Sequence, residues 1–193
     1  MRIRIFAPLA ALSLLPACAA TIPPVEVTRF HVNEAIAPGT IATAPIAGQD
    51  GGTIEFRTYA IAVSRELAKL GFAEGQKSAY LVEIGYSRDT RAQLAKRSPV
   101  TIGIGGGSFG SHVGVGVGTS FGVGGGGSRN IIISRLEVRI KRKADSAVVW
   151  EGRAQTEAPS NAPAAQPGLA AEKLATALFS GFPGESGKTI SIP

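Results

Sequence analysis

Residues 131–155, IIISRLEVRIKRKADSAVVWEGRAQ, decide the fold, because apolar and charged side chains alternate along them with the period of a β-strand. From Ile131 to Lys143, the apolar positions predict the buried face: Ile132, Leu136, Val138 and Ile140. The charged positions predict the solvated face: Arg135, Glu137, Arg139 and Lys141. Residues 143–146, KADS, predict a turn, and a second strand follows from Ala147 to Gln155 with Val148 and Trp150 directed inward. The stretch is therefore a β-hairpin with one charged face.

The chain on either side of this hairpin predicts further strands and helices. We expect strands at Val25–Phe30, Thr40–Ile46 and Tyr80–Tyr86, and helices at Ile54–Leu70 and Gly168–Ser180. Apolar residues recur at helical spacing in the first helix: Phe56, Tyr59, Ala60, Val63, Leu67 and Leu70. Gly71 predicts its left-handed end, and residues 157–167 predict a loop. We therefore predict an α+β fold, an antiparallel sheet with two helices packed on one face, plus a Gly-rich insertion.

The first eighteen residues have the pattern of a bacterial secretion signal. Residues 1–4 carry two arginines, and the apolar stretch Ile5–Leu15 is too short to span a bilayer as a lasting helix. The next residues, Leu15-Pro16-Ala17-Cys18, resemble the lipobox of bacterial lipoproteins, in which a small residue precedes an obligatory cysteine. The resemblance implies that the thiol of Cys18 receives a diacylglycerol and that the chain is cleaved before this residue. An ordinary cleaved signal with a coincidental cysteine is the alternative.

Lipidation of Cys18 predicts where the protein resides. Several acyl chains, at about 0.8 kcal/mol per buried CH₂ group, would make the anchor effectively permanent. Ala19 follows the cysteine, and the lack of an acidic residue there points, in the familiar sorting pattern of lipoproteins, to the outer membrane. We therefore predict a lipoprotein signal peptide at 1–17, a lipidated tether at 18–24 and a single α+β domain at 25–193 on the periplasmic face of the outer membrane.

A glycine-rich block occupies residues 103–128, and two patterns overlap in it. Glycine recurs at every fourth position from Gly106 to Gly126, as in the interfaces of membrane helices. Bulky residues alternate with small ones, however, and in a strand they would share one face. Because glycine and valine are poor helix formers, we favour an extended insertion whose contact residues are Val113, Val115, Val117 and Phe121. A low-complexity insertion without a specific partner is the alternative.

The sequence gives little support to a catalytic, metal-binding or nucleic-acid-binding function. Cys18 is the single cysteine, and His31 and His112 are the two histidines, which leaves few side chains for a metal site. The net charge of +6 is scattered rather than concentrated in one stripe, which argues against nucleic-acid binding. The patterns G-x-G-x-x-G at 105–110 and G-x-S-x-G at 106–110 lack the helix, acidic residue and ordered Asp and His that such sites require. We therefore predict no enzymatic activity, no cofactor and no metal.

Four segments follow one another in an order that carries a family resemblance: LAKLGF (67–72), AYLVEIGYS (79–87), LEVRIKRKADSAVVWEG (136–152) and LFSGFPG (178–184). This order resembles the bacterial lipoproteins that share the domain of unknown function numbered forty-one thirty-six. The resemblance implies the fold and the envelope address, and no activity. Two features depart from the family pattern: Ala79 stands where an Asp is usual, and the glycine block is unusually long.

Together these observations predict a lipid-anchored cell-envelope protein with a structural or interaction role. Its expected partner is the membrane, through acyl chains on Cys18, with another envelope protein as a second candidate partner. The alternative function is that of a ligand-binding or auxiliary subunit of an envelope transport or assembly system, in which the sheet and helices would line an apolar groove.

Overall fold

The hairpin belongs to a seven-stranded sheet in the computed structural model, which describes residues 23–32, 34–75, 77–93 and 129–193. The strands and helices are, in chain order, β1 (Val25–His31), β2 (Thr40–Pro45), α1 (Ile54–Lys69), β3 (Ala73–Glu74), β4 (Tyr80–Gln93), β5 (Arg129–Arg142), β6 (Val148–Pro159), α2 (Pro167–Phe179) and β7 (Thr189–Ile192). A short 3₁₀ turn at Pro163–Ala165 precedes α2.

The sheet is mixed, with the strand order β3-β2-β4-β5-β6-β1-β7. Neighbouring strands pair antiparallel from β4 through β5, β6 and β1 to β7, whereas β2 runs parallel to both β3 and β4. The α+β class is therefore confirmed, but the prediction of a wholly antiparallel sheet is wrong. Helix α1 causes the difference, because it carries the chain back along the sheet from the end of β2, so that β4 starts beside the start of β2.

Helix α1 begins and ends where local chemistry dictates. The side chain of Thr53 accepts a hydrogen bond from the main-chain N of Phe56 at 3.0 Å and so caps the first turn. At the other end, Gly71 has a φ of +87°, and the N–H of Phe72 donates to the carbonyl of Leu67 at 3.0 Å. This is the Schellman arrangement, in which the left-handed residue satisfies the last carbonyls of the helix. The predicted helix and its end at Gly71 are confirmed.

Both helices pack on one face of the sheet around a shared core, as predicted. The sheet contributes Val82, Ile84, Leu136, Val138, Ile140 and Trp150, all fully or almost fully buried. Tyr59, Val63 and Leu67 of α1 and Leu174 and Leu178 of α2 cover them. At one end of this core Trp150 stacks on Phe179, with ring centroids 5.3 Å apart.

The central hairpin forms with one irregularity. The register of β5 and β6 shifts between Ile140 and Lys141, so that β6 carries an extra residue, Val149. This bulge turns both Val149 and Trp150 into the core, whereas Val148 is 40% exposed. The prediction that Val148 points inward is therefore wrong, because strict alternation fails at a bulge.

Several strands extend beyond their predicted ends. Strand β4 continues to Gln93, and β6 continues to Pro159, so that residues 157–159 pair with β5 instead of forming a loop. The short strands β3 and β7 have too few residues for a periodic signal and were not predicted. The predicted Gly-rich insertion at 103–128 lies outside the described residues.

Candidate functional site

The site residues predicted from the sequence all fall outside the described residues. They are Cys18, Val113, Val115, Val117 and Phe121. The structure nevertheless describes the two places where their segments join the domain. These are the start of β1 and the paired ends of β4 and β5.

The N-terminal segment is held to the domain from Pro23 onward. The main-chain oxygen of Pro24 accepts a hydrogen bond from the side chain of Thr156 at 3.0 Å. The oxygen of Pro23 accepts one from the ammonium of Lys173 on α2, whose pKa is lowered by partial burial. Val25 then enters the sheet fully buried. A tether starting at Cys18 would therefore have only the residues between 18 and 23 with which to reach the folded domain.

The connection between β4 and β5 also begins and ends at a defined place. Gln93 and Arg129 are register partners at the last rung of the antiparallel ladder. The described residues on either side of the segment 94–128 are consequently adjacent. The predicted contact block is thus the connection of one hairpin rather than a link between distant parts of the fold.

The face of the sheet opposite the helices carries paired charges. Four residues of β5 and β6, here called the charge ladder, lie side by side: Glu137, Arg139, Glu151 and Arg153. Arg139 contacts the carboxylate of Glu137 at 2.5 Å, and Arg153 contacts that of Glu151 at 2.6 Å. Cross-strand separations are longer, 3.6 Å from Arg139 to Glu151 and 3.9 Å from Arg153 to Glu137. The charged row predicted from the alternation is therefore an ion-pair network in which each charge has a neighbour of opposite sign.

A groove of about 520 Å³ crosses this open face beside the charge ladder. Small residues on β4, Gly85 and Ser87, leave room for it, and Glu26, Arg135 and Arg153 line it. A Cβ atom at Gly85 would lie 2.4 Å from the side chain of Ile46, which packs over this glycine. Charged and hydrogen-bonding side chains share its lining with apolar ones, so the groove offers partners to a charged or hydrogen-bonding group.

A second groove, of about 640 Å³, lies between α1 and the β2 edge of the sheet. Ile41, Ala60, Ile61, Ala68 and Phe72 make much of its lining apolar. Ile61 is 59% exposed on the outer side of α1. Of the two grooves, this one has the character expected of a site for an apolar ligand.

Beneath the sheet, the buried hydroxyl of Tyr59 is protonated at neutral pH. Its ring stacks on Tyr86 with centroids 4.7 Å apart, and its side chain is fully buried. Desolvation raises the pKa of Tyr59 to about 12, an effect that the charge of Arg88 partly opposes. The hydroxyl therefore stays protonated and supplies neither a base nor a nucleophile.

Other chemistry is sparse in the part of the chain that the structure describes. Within those ranges, no three His, Cys, Asp or Glu side chains lie close enough together to hold a metal ion. His31 lies with its ring nitrogens at 3.0 Å from the carbonyl of Val32 and 3.1 Å from that of Gly184. Residues 23–32, 34–75, 77–93 and 129–193 also contain no helix of the length and hydrophobicity needed to cross a membrane.

Sequence reasoning missed both grooves. Their walls come from strands and a helix that are distant in sequence, so no local pattern marks them. The one local signal is Gly85 within a strand of bulky residues, since a glycine in a strand indicates close approach by another group.

Comparison with known proteins adds a family match. Residues 38–184 match the family described as "Domain of unknown function (DUF4136)". An uncharacterized protein of Zymomonas mobilis is 29% identical over 212 residues, which cover 88% of this chain and 80% of the relative.

Solved structures with some likeness were also found. A PDZ domain protein from Parabacteroides distasonis has a TM-score of 0.49 at 12% identity, over 88% of this chain and 39% of that protein's chain. The PelC dodecamer from Paraburkholderia phytofirmans has a TM-score of 0.40 at 10% identity, over 80% of this chain and 92% of that one.

Proposed function

Because the chain belongs to the DUF4136 family, whose description assigns no activity, we propose its function from its own residues: a lipid-anchored, non-enzymatic protein of the bacterial cell envelope with a structural or interaction role. In this proposal Cys18 carries the lipid, and the domain faces the periplasm from the outer membrane. The partners are the membrane, through the acyl chains, and another envelope protein.

The observation that carries the proposal is the sequence Leu15-Pro16-Ala17-Cys18 directly after a basic and then apolar segment. The domain is arranged in a way that suits such an anchor. Pro23 and Pro24 are already held by side chains of the domain, so the tether is short and the folded part stays close to its point of attachment. A short tether fits a protein that acts at the membrane surface.

Replacement of the cysteine tests the anchor. We expect Cys18→Ser to abolish incorporation of radiolabelled palmitate and to release the protein from the membrane fraction. Ala20→Ser is the matched control, because it makes a similarly small change two residues further on and should leave both properties intact. A Cys18→Ser protein that remains fully membrane-bound would contradict the lipid anchor.

The sorting part of the proposal has a separate test. Ala19→Asp places an acidic residue directly after the lipidated cysteine, and we expect it to shift the protein from outer-membrane to inner-membrane fractions on a density gradient. Ala19→Ser should leave the protein in the outer membrane. The same distribution for Ala19→Asp and Ala19→Ser would remove the basis for an outer-membrane address.

The interaction role is assigned to Val113, Val115, Val117 and Phe121, which share one face if the segment is extended. A photoreactive residue at Val115 in intact cells should form adducts with one envelope protein or with a second copy of the chain. A probe at Ala144, in the exposed β5–β6 turn, is the control. If Val115 forms adducts only with lipid, or none, the interaction role of this segment is contradicted, and the open face of the sheet becomes the next candidate surface.

A second candidate function, a ligand-binding or auxiliary subunit of an envelope transport or assembly system, is favoured by the apolar groove between α1 and β2. Ala68 lines this groove and is exposed, so Ala68→Trp would fill part of it. Native mass spectrometry of the protein extracted from membranes should then show a bound apolar molecule that Ala68→Trp loses. If the unaltered protein and Ala68→Trp both give spectra without a bound molecule, the ligand-binding function is contradicted, and the structural role remains the proposal.

A further inference from the structure

The N-terminal exit and the connection between β4 and β5 lie at the same end of the sheet. Four register partners lie side by side in a line across the sheet: Val25 on β1, Thr156 on β6, Ser134 on β5 and Arg88 on β4. Beyond this line β4 and β5 continue for five more residue pairs, and β6 accompanies them as far as the pairing of Pro159 with Ile131. We call the residues Asp89–Gln93 and Arg129–Ile133 the projecting hairpin. The chain therefore enters β1 beside the base of this hairpin.

The length of the projecting hairpin is similar to the greatest length of the tether between Cys18 and Pro23. From Arg88 to Gln93 the hairpin advances five residues, which is about 17 Å at 3.3 Å per residue. Pro23 is held to the domain, and the five residue steps from Cys18 to Pro23 span at most about 18 Å. A lipid on Cys18 would thus bring this end of the sheet, and no other, within contact of the bilayer surface.

Both helices begin at this same end. Arg88, on the line of paired residues, contacts Glu55 in the first turn of α1 and donates to the main-chain oxygen of Ala165 just before α2. Two apolar side chains in the first turns of the helices are open to solvent, Ile54 at 76% and Leu169 at 47%. The end near the tether therefore presents apolar as well as charged groups.

The charged side chains that the structure describes in the projecting hairpin are paired. Arg91 contacts the carboxylate of Glu157 at 2.6 Å, and Arg135 contacts that of Asp89. A membrane contact at this end would therefore come from the short tether and from the exposed apolar side chains of the helices, not from an excess of positive charge.

We propose that the end of the sheet bearing the projecting hairpin faces the membrane and that the hairpin contacts the phospholipid surface. This rests on the proposed lipid anchor at Cys18. The opposite end, with the β5–β6 turn, then points into the periplasm. Ala92 and Ala144 mark the two ends, separated by the twelve residue steps from Asn130 to Arg142 along β5, or about 40 Å.

Paired cysteine labels on the full-length lipidated protein test the orientation. Ala92→Cys, near the end of β4, and Ala144→Cys, in the β5–β6 turn, replace exposed alanines at opposite ends of the sheet, and each new thiol takes a fluorophore. The protein is reconstituted into vesicles of phosphatidylethanolamine and phosphatidylglycerol that contain a lipid with a quencher on its headgroup. We expect the label at position 92 to lose most of its fluorescence and the label at 144 to keep nearly all of it.

The outcomes separate this proposal from the anchor on which it rests. Equal quenching at the two positions, or stronger quenching at 144, would overturn the orientation. Failure of the anchor itself is recognised independently, because the unaltered protein would then take up label at a free Cys18 thiol and would not float with the vesicles.

Discussion

The guanidinium of Arg29 donates from Nε to the main-chain oxygen of Leu178 at 2.9 Å, and so joins β1 to the end of α2. Nη2 donates to the oxygens of Ala177 at 2.8 Å and Ser180 at 2.9 Å. These carbonyls lie in the last turn and cap of the helix, where regular i→i+4 hydrogen bonds end, and they form the negative end of its dipole. A cation that is only 4% exposed is thereby stabilised by main-chain oxygens, although burial lowers the pKa of Arg29 from its ordinary value.

Arg29→Met should be strongly destabilising. Methionine keeps much of the side-chain volume but removes the three hydrogen bonds that the guanidinium donates to oxygens at the end of α2, which costs about 2–4 kcal/mol in the free energy of unfolding. Urea denaturation of a soluble form that lacks residues 1–18 measures the change. Arg57→Met, on the exposed side of α1, is the control and should shift the free energy by less than about 0.5 kcal/mol. Equal effects of the two substitutions would show that Arg29 does not hold the helix end.

Gly152→Ala should also be destabilising, through overpacking beside the single tryptophan. An added Cβ would lie 2.4 Å from the ring of Trp150 and 2.8 Å from the side chain of Leu178, both in the rigid core. Such crowding typically costs about 1–3 kcal/mol. Unfolding followed by Trp150 fluorescence measures the loss.

Gly168→Ala is the matched control for this prediction, because a Cβ at Gly168 meets no atom within 4 Å. In the first turn of α2, alanine should be neutral or stabilising by up to about 1 kcal/mol. A destabilisation by Gly168→Ala equal to that by Gly152→Ala would attribute the effect to glycine replacement in general rather than to the contact with Trp150.

The local patterns of the sequence predicted the elements well where each side chain depends on near neighbours. The cap at Thr53 and the left-handed Gly71 both act within a few residues, and the helix between them appears as predicted. The same reasoning failed at Val148, because the bulge between β5 and β6 is set by how two distant strands meet. The periodicity of one strand's sequence does not show how that strand is aligned with its neighbours.

The direction of β2 and the candidate site were less predictable for related reasons. Whether β2 runs parallel to β4 depends on where α1 returns the chain, which is a property of the whole sheet. The lipobox-like sequence ending at Cys18 is contiguous, so it could be proposed from the sequence alone, although the structure does not describe it. The grooves could not be identified, because residues such as Thr28 and Gly85 meet only after four strands have paired.

The charge ladder should contribute a small, salt-dependent stabilisation. A double-mutant cycle of Glu137→Gln and Arg139→Gln should give a coupling energy of about 0.5–1 kcal/mol at low salt, since both groups are about a third exposed or less. The coupling should fall in about 1 M salt, where the Debye length is roughly 3 Å. The exposed pair Glu185 and Lys188 is the control and should couple more weakly. A ladder coupling that does not respond to salt would contradict an electrostatic origin.

Tyr59 should make the protein less stable at alkaline pH. Below about pH 10 the phenol is protonated in both the folded and the unfolded chain, and it adds no pH dependence. Between about pH 10 and 12 the unfolded chain loses the proton while the folded protein keeps it, because the pKa of the buried group is raised to about 12. The free energy of unfolding should therefore fall across this window by on the order of 2–3 kcal/mol from this group alone.

Tyr59→Phe isolates this contribution, because it removes the titrating group and keeps the ring that stacks on Tyr86. At pH 7 the substitution should change stability by less than about 1 kcal/mol, since the hydroxyl has no hydrogen-bond partner of good geometry among the described residues. From pH 10 to 12 the variant should lose less stability than the unaltered protein, by the amount that Tyr59 contributes. Parallel pH profiles for the two proteins would mean that Tyr59 titrates normally, and hence that the space between α1 and the sheet admits water to its hydroxyl.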